Sequence, residues 1–231
     1  MLYDISKIIE RDDKFNYKLK EDVKDIPYEL AEFLDGSKIN LPFVSMILEE
    51  CYPFLHNKFI KKEVIENSVK QGVCVHKIIS DSINERKEFK LNLVVKDCKN
   101  SNHLNIAKRL ITELNSFIYK YDIDQIYSEK TFFYSGYDCN YLGTIDLILK
   151  SKDKFYIMDI KTSRVNYVEK YNAQLFLYKK MFENASGKIV DECFILNPRE
   201  DRVLMTYERL NNQEISRIFS KIKELKPIWQ D

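Results

Sequence analysis

The sequence has few of the residues that interrupt a polypeptide chain. Glycine and proline occur only five times each among 231 residues, which excludes collagen-like and linker-rich chains. The low hydrophobicity that is typical of disordered chains is also absent, since 45% of the residues are hydrophobic and 13% are aromatic. The 37 basic side chains are balanced by 36 acidic ones, which excludes a uniformly basic nucleic-acid-binding surface but permits a local basic groove. We therefore expect a single folded domain.

Long hydrophobic runs are absent as well. No stretch approaches the roughly 18 uncharged apolar residues that a membrane span requires. The first residues, MLYDISKIIERDDKF, lack the pattern of a signal peptide. We expect no association with a membrane.

Closely spaced cysteines are the third absence. The five cysteines are scattered, with no C-x-x-C pair among them. This spacing argues against a disulfide framework, a zinc site and an iron–sulfur cluster. We expect five buried, reduced thiols in an intracellular protein, in a reducing compartment such as the cytoplasm, the nucleoid or an organelle matrix.

The pattern of apolar residues differs between the two parts of the chain. Residues 1–104 are predicted to form an N-terminal helical arm and the first core helices. Short helical stretches are expected at 5–9 and 28–34, and Gly72 is expected to interrupt the helical pattern. Residues 105–231 begin with an amphipathic helix of 3.6-residue period and continue as three strands, a helix, two strands and a final helix. This order predicts an α+β fold with a mixed central sheet flanked by helices, forming one domain overall.

The chemistry is concentrated in residues 143–163. Asp146 and Asp159 lie on consecutive predicted strands that are joined by a short turn, and Lys161 shares a strand face with Asp159. Two carboxylates and an ammonium would meet in an otherwise apolar sheet, where an unpaired charge costs several kcal/mol. One interpretation is an ion pair between Lys161 and one aspartate. The other is a site for Mg²⁺ or Mn²⁺, which prefer oxygen ligands.

The spacing of these residues resembles the PD-(D/E)XK nuclease superfamily, in which an aspartate precedes Asp/Glu-x-Lys on the next strand. The similarity is closer to the RecB-like and Cas4-like branch, and within it to single-strand DNA exonucleases of phage and mitochondrial type. An opening helix, LPFVSMILEECYPF, is also similar to that branch. The segments QGVCVHKII, SEKTFF and NAQLFLY add candidate site residues, namely His76, Glu129, Gln174 and Tyr178.

The resemblance implies a restriction-endonuclease-like core and a role for each of these residues. The implied metal ligands are His76, Asp146, Asp159 and the backbone carbonyl of Ile160. The implied catalytic residues are Asp146, Asp159, Lys161, Glu129, Gln174 and Tyr178. Each also has a structural interpretation: a core histidine, an edge-strand charge and a packed helix face. Because the C-terminal part holds only Cys193, we expect no iron–sulfur cluster of the kind found in Cas4-like members.

The implied function is metal-dependent hydrolysis of DNA by a single-strand exonuclease in replication, repair or recombination. Its partner would be DNA that is single-stranded or has a free end, and the sequence does not identify a protein partner. Two alternatives stay open: an RNA endonuclease of the cap-snatching kind, and a non-catalytic nucleic-acid-binding subunit with the same fold.

Overall fold

The computed structural model describes eight ranges of the chain: residues 4–11, 16–23, 25–53, 61–86, 90–136, 139–163, 167–198 and 204–225. Within these ranges, none of the helices combines the length and apolar character needed to cross a lipid bilayer.

The N-terminal region forms a small antiparallel sheet, which corrects the prediction of a helical arm. Only Ile5–Lys7 (a 3₁₀ turn) and α1 (Tyr28–Ala31) are helical among the described residues before residue 40. The sheet order is β1-β2-β4-β3, and the strands are β1 (Ile9–Arg11), β2 (Tyr17–Leu19), β3 (Leu34–Asp35) and β4 (Lys38–Ile39). Strands of two or three residues are too short to show alternation in sequence. They are stabilised by a shared apolar cluster that includes Tyr17, Leu30 and Phe133.

Two helices follow, and the second corrects another prediction. α2 spans Val44–Cys51, as expected from the sequence, whereas α3 is one continuous helix over Lys62–Asn84. Gly72 does not break it. An interior glycine costs about 1 kcal/mol relative to alanine, and the burial of Val75 and Ile79 on the face of the same helix offsets this cost.

The predicted amphipathic helix is α4 (Ser101–Lys120). It begins four residues before the predicted start at residue 105, because the Asn100 side chain accepts hydrogen bonds from the first-turn N–H groups of Asn102 and His103. This is the usual role of an N-cap asparagine.

The central sheet has five strands in the order β5-β6-β7-β8-β9. They are β5 (Gln125–Gly136), β6 (Cys139–Ser151), β7 (Lys154–Ile160), β8 (Glu192–Leu196) and β9 (Leu204–Thr206). The β7–β8 pair is parallel and the other pairs are antiparallel. α5 (Val168–Ser186) connects the parallel pair, and α6 (Asn212–Glu224) follows the last strand. The predicted α+β class with a mixed central sheet is confirmed.

Helices cover both faces of this sheet. α2, α5 and α6 pack on one face, and α3 and α4 pack on the other. Strands β6 and β7 are therefore buried on both sides, as their nearly continuous apolar sequence requires. Acidic residues on these two strands must lie at the end of the sheet or find partners.

Two of the five cysteines are joined, contrary to the expectation of five buried thiols. Cys74 on α3 is bonded to Cys98 in the segment before α4, and both are half-buried. Cys51, Cys139 and Cys193 are buried thiols outside any disulfide, as expected. No local pattern indicated the pair, because its two members are 24 residues apart and are brought together only by the packing of α3 beside this segment.

Candidate active site

Asp146 and Asp159 lie side by side on the two central strands. β6 and β7 pair with Leu147 opposite Met158, and the same register carried one residue further sets Asp146 opposite Asp159. Both are buried, with 8% and 1% of their surface exposed. The sequence prediction that a hairpin brings these carboxylates together agrees with this register.

His76 reaches the same place from α3. Its Nε2 lies 3.2 Å from the carbonyl oxygen of Ile160. Its Nδ1 lies 3.5 Å from Oε1 of Glu129 and 3.6 Å from Oδ1 of Asp146. One ligand atom from each of these three side chains lies within 4.8 Å of the other two. The second oxygen of Asp146 accepts a hydrogen bond of 2.7 Å from the Ile160 N–H, which fixes the carboxylate.

Glu129 joins this cluster through an unusual backbone conformation. Its φ is 51° in the middle of β5, a left-handed value that costs a non-glycine residue roughly 1–2 kcal/mol. The strand keeps its register on both sides, with Ser128 opposite Leu147 and Lys130 opposite Ile145. The strain is therefore confined to the residue whose carboxylate contacts His76.

Lys161, just after β7, forms a second group with Asp159 and α5. Its ammonium lies 2.5 Å from Oδ2 of Asp159 and donates to Oε1 of Gln174 at 2.8 Å. The Gln174 amide in turn donates to the Tyr178 hydroxyl at 2.9 Å. The ion pair considered from the sequence is thus present, and it engages Asp159, while Asp146 belongs to the group around His76.

The electrostatics of the first group favour a charged imidazole. Burial lowers the pKa of His76, but the carboxylates of Asp146 and Glu129 outweigh this effect and raise the pKa to about 9. Burial and the Glu129 charge raise the pKa of Asp146, while His76 and Lys161 oppose them. The cluster therefore attracts positive charge strongly.

The second group is coupled in the same way. Burial raises the pKa of Asp159 to about 6, because it outweighs the attraction of the Lys161 ammonium. Burial lowers the pKa of Lys161, yet Asp159 and Asp146 together raise it above its ordinary value. Lys161 therefore keeps its proton at neutral pH.

Both groups face one open cavity of about 750 Å³. All residues predicted as part of the site line it: His76, Glu129, Asp146, Asp159, Ile160, Lys161, Gln174 and Tyr178. The sequence interpretation missed Arg11, Thr144 and Tyr171, which also line it. Arg11 was missed because its strand is so short. Tyr171 places its ring centre 5.2 Å from the Lys161 ammonium, and only its spacing of three residues from Gln174 on one helix could have indicated it.

The donor set fits a divalent cation. The two carboxylates are oxygen ligands of the kind that Mg²⁺ and Mn²⁺ prefer, and the surplus of negative charge explains the raised pKa of His76. The structure brings Glu129 into the cluster of His76 and Asp146. Metal binding by His76, Asp146, Asp159 and the carbonyl of Ile160 stays a prediction.

Comparison with known proteins gives one distant relative by sequence. No protein-family profile matches the chain. The chain is 26% identical over 180 residues to a component of the ATP-dependent helicase/nuclease of Clostridium perfringens. The match covers 74% of this chain but 12% of that much longer protein.

Among solved structures, SSO0001 aligns over 84% of this chain and 80% of its own, with 15% identity and a TM-score of 0.43. A provisionally named exonuclease of Eubacterium rectale aligns over 85% of this chain and 76% of its own, with 11% identity and the same TM-score of 0.43. By sequence, the chain is distantly similar to a helicase/nuclease component.

Proposed function

We propose that the protein is an Mg²⁺- or Mn²⁺-dependent nuclease that hydrolyses the phosphodiester bonds of single-stranded DNA from an end. One observation carries the proposal: a cation-attracting cluster of His76, Glu129 and Asp146 shares a cavity with the Asp159–Lys161 pair. The distant similarity to a helicase/nuclease component supports it. The nuclease would act in DNA replication, repair or recombination.

The size of the cavity, and the N-terminal sheet beside it, support a single strand as substrate. Its volume of about 750 Å³ lies in the range of sites for compact ligands, about 300–1,000 Å³. The N-terminal sheet lies against one side of it, since the Tyr17 hydroxyl and the Thr144 hydroxyl are 2.9 Å apart and Arg11 lines the wall. A flexible strand with a free end can enter such a site more easily than a rigid duplex.

The chain's own groups then act on the phosphodiester. A bound divalent cation would polarise the phosphate and lower the pKa of an attacking water. The Lys161 ammonium, held between Asp159 and Gln174, orients that water by hydrogen bonding and stabilises the negative charge that grows on the phosphate oxygens. Arg11 and Lys170, at the cavity wall, supply positive charge for neighbouring phosphates.

The remaining residues hold these groups in place. His76 is fixed by the Ile160 carbonyl and Asp146 by the Ile160 N–H, so the backbone groups of one residue position the cation ligands. Tyr178 accepts from Gln174 and thereby orients the amide whose oxygen faces Lys161. Such supporting bonds commonly change activity ten- to a hundredfold when removed.

The decisive experiment uses end-labelled linear single strands, circular single strands, duplex DNA and an RNA strand of the same sequence, each with Mg²⁺, Mn²⁺ or EDTA. We expect metal-dependent shortening of the linear DNA strand alone, with the label showing the polarity. Asp159→Asn and Lys161→Ala should abolish cleavage and still bind the strand in Ca²⁺. Asp153→Asn and Lys154→Ala, in and beside the exposed turn before β7, are matched controls that should cleave normally.

Other results have equally clear meanings. Cleavage of circles would replace the exonuclease with an endonuclease, and cleavage of RNA alone would favour the cap-snatching kind of enzyme. Binding without cleavage in any metal, or full activity of Lys161→Ala, would overturn the proposed function.

A further inference from the structure

A disulfide lies on the helix that carries His76. Cys74 and Cys98 are joined, and Cys74 is two residues before His76 on α3. Their side chains are half-buried, unlike the three cysteines outside the disulfide, which are buried. Among the five cysteines, all of which the structure describes, Cys74 and Cys98 are therefore the two whose sulfur atoms are most accessible to reagents in solution.

The bond ends a series of contacts between α3 and the segment of residues 90–98. The Val94 N–H donates to the Ser82 hydroxyl at 2.9 Å. Lys96 lies 2.8 Å from the Glu85 carboxylate, and Asp97 pairs with Lys77. The segment thus runs back along α3 from its C-terminal end towards the turn of Cys74. Apart from the disulfide, these contacts are polar and partly exposed, so they contribute little by themselves.

A groove gives access to the disulfide. Its volume is about 310 Å³, and both cysteines line it together with the apolar side chains of Val69, Val73 and Ile78. Cys98 also has a histidine beside it. Nδ1 of His103, in the first turn of α4, lies 4.0 Å from Sγ of Cys98. One ligand atom from each of Cys74, Cys98 and His103 lies within 4.8 Å of the other two. A proton acceptor therefore stands beside one of the two sulfurs.

We propose that Cys74 and Cys98 are a reversible thiol–disulfide site that exchanges with small disulfides and thiols and fastens α3 at the turn of His76. The Cys98 thiol passes its proton to His103, and its thiolate attacks a small disulfide RSSR. One RS⁻ leaves and takes up that proton. The Cys74 thiol then displaces the second RS group, so that two Cys–SH and RSSR give Cys–S–S–Cys and two RSH.

The consequence for α3 is mechanical. In the oxidised protein the segment 90–98 is covalently held to the middle of the helix, one half-turn from the imidazole that contacts Ile160 and Asp146. In the reduced protein the segment keeps the polar contacts and the anchor at Leu91, which is buried against Val75 and Ile79 and bonded to the Asn115 side chain, but its end at Cys98 is released from α3. Oxidation should therefore slow backbone opening around residues 71–78, and reduction should loosen it.

The test counts thiols in the whole protein. After equilibration in mixtures of reduced and oxidised glutathione, acid quenching, unfolding and alkylation, the mass of the intact chain gives the number of free thiols. We expect five in excess reduced glutathione and three in excess oxidised glutathione, from five cysteines of which three lie outside any disulfide in the structure. A peptide map should join Cys74 to Cys98, and hydrogen exchange at 71–78 should be slower in the oxidised sample.

Two variants sharpen the result. Cys98→Ser should form no disulfide within the chain in any mixture, whereas the matched variant Cys139→Ser should fall from four thiols to two. His103→Gln should reach the same final ratio as the unmodified protein but about a hundredfold more slowly, because it lacks the proton acceptor.

Three outcomes would overturn the site: five thiols in every mixture, a different pair in the peptide map, or one Zn²⁺ retained per reduced chain and lost in Cys98→Ser. The last result would make the three side chains a metal site instead. Wild-type exchange kinetics in His103→Gln would overturn the role of that histidine. None of these measurements depends on nuclease activity.

Discussion

Lys161 donates to the side-chain oxygen of Gln174 at 2.8 Å, although one residue follows β7 and the other lies in the second turn of α5. This contact gives the ammonium a second partner besides Asp159. A lysine held by one anion alone could pivot around it, whereas a second hydrogen bond restricts its position.

Removal of this contact should reduce activity without unfolding the protein. For Gln174→Leu we expect single-strand cleavage to fall about ten- to a hundredfold, because Lys161 keeps its partner Asp159 but loses its second anchor. Tyr178→Phe, which removes only the acceptor for the Gln174 amide, should have a smaller effect. Single-turnover rates at saturating Mn²⁺ measure both variants, and a wild-type rate for Gln174→Leu would refute the role.

Lys161 should also matter for stability in the absence of metal. Lys161→Met leaves the buried Asp159 carboxylate without its cation, and breaking a buried pair in this way costs about 3 kcal/mol. The loss should shrink below pH 6, because the pKa of Asp159 is about 6 even with the lysine present and the protonated carboxyl needs no counter-charge. Urea unfolding at pH 8 and pH 5 measures the difference. Lys154→Met is the exposed control, and an equal loss at both pH values would contradict the prediction.

His76 should make the stability of the metal-free protein depend on alkaline pH. Its pKa rises from 6.5 to about 9 on folding, so its contribution is complete below pH 6.5 and is lost as the pH rises through 9. The free energy of unfolding should therefore fall across this interval. In His76→Gln the decline should be absent, which thermal unfolding in EDTA at half-unit pH steps would reveal. Parallel curves for the two proteins would show that the imidazole is not charged in the folded state.

Any side chain at Gly143 should lower the stability of the protein, because α2 and α5 approach β6 closely there. A Cβ at this position would lie 2.8 Å from Cγ2 of Val44 and 3.3 Å from the Tyr178 ring. Gly143→Ala should cost about 1–3 kcal/mol of stability and should also lower activity by displacing Tyr178. The double variant Gly143→Ala/Val44→Ala removes the nearer methyl group, so its loss should be less than the sum of the single losses. Additive losses would refute the proposed overlap.

The sequence predicted most strongly those parts whose local pattern agrees with the fold. The 3.6-residue period of α4 and the β-branched and aromatic runs of β5 to β7 were found in this way. The final helix was predicted too, and the structure shows that α6 begins with the reciprocal capping box of Asn211 and Glu214. Asp146, Asp159 and Lys161 were predicted because such charges are anomalous in apolar strands, whereas His76, Glu129, Gln174 and Tyr178 were implied by the family resemblance. The structure brings all of them into one cavity.

The features that were missed depend on contacts between distant residues. The N-terminal sheet has strands of two or three residues, and these gain their stability from Phe133 and other members of a shared cluster. Gly72 suggested a break, but its local cost is small beside the apolar burial along α3. The left-handed conformation of Glu129 leaves no trace in composition, since any residue type could stand at that point of the pattern.

The continuity of α3 has a consequence for how the protein can respond to contact at a distance. Its 23 residues correspond to a rod about 34 Å long, and His76 stands near its midpoint. Its first turns expose Val64, Ile65 and Val69 to solvent. An unbroken ladder of backbone hydrogen bonds resists bending, so a displacement of those exposed turns should also displace the imidazole. Contact at the N-terminal end of α3 should therefore change the geometry of the site.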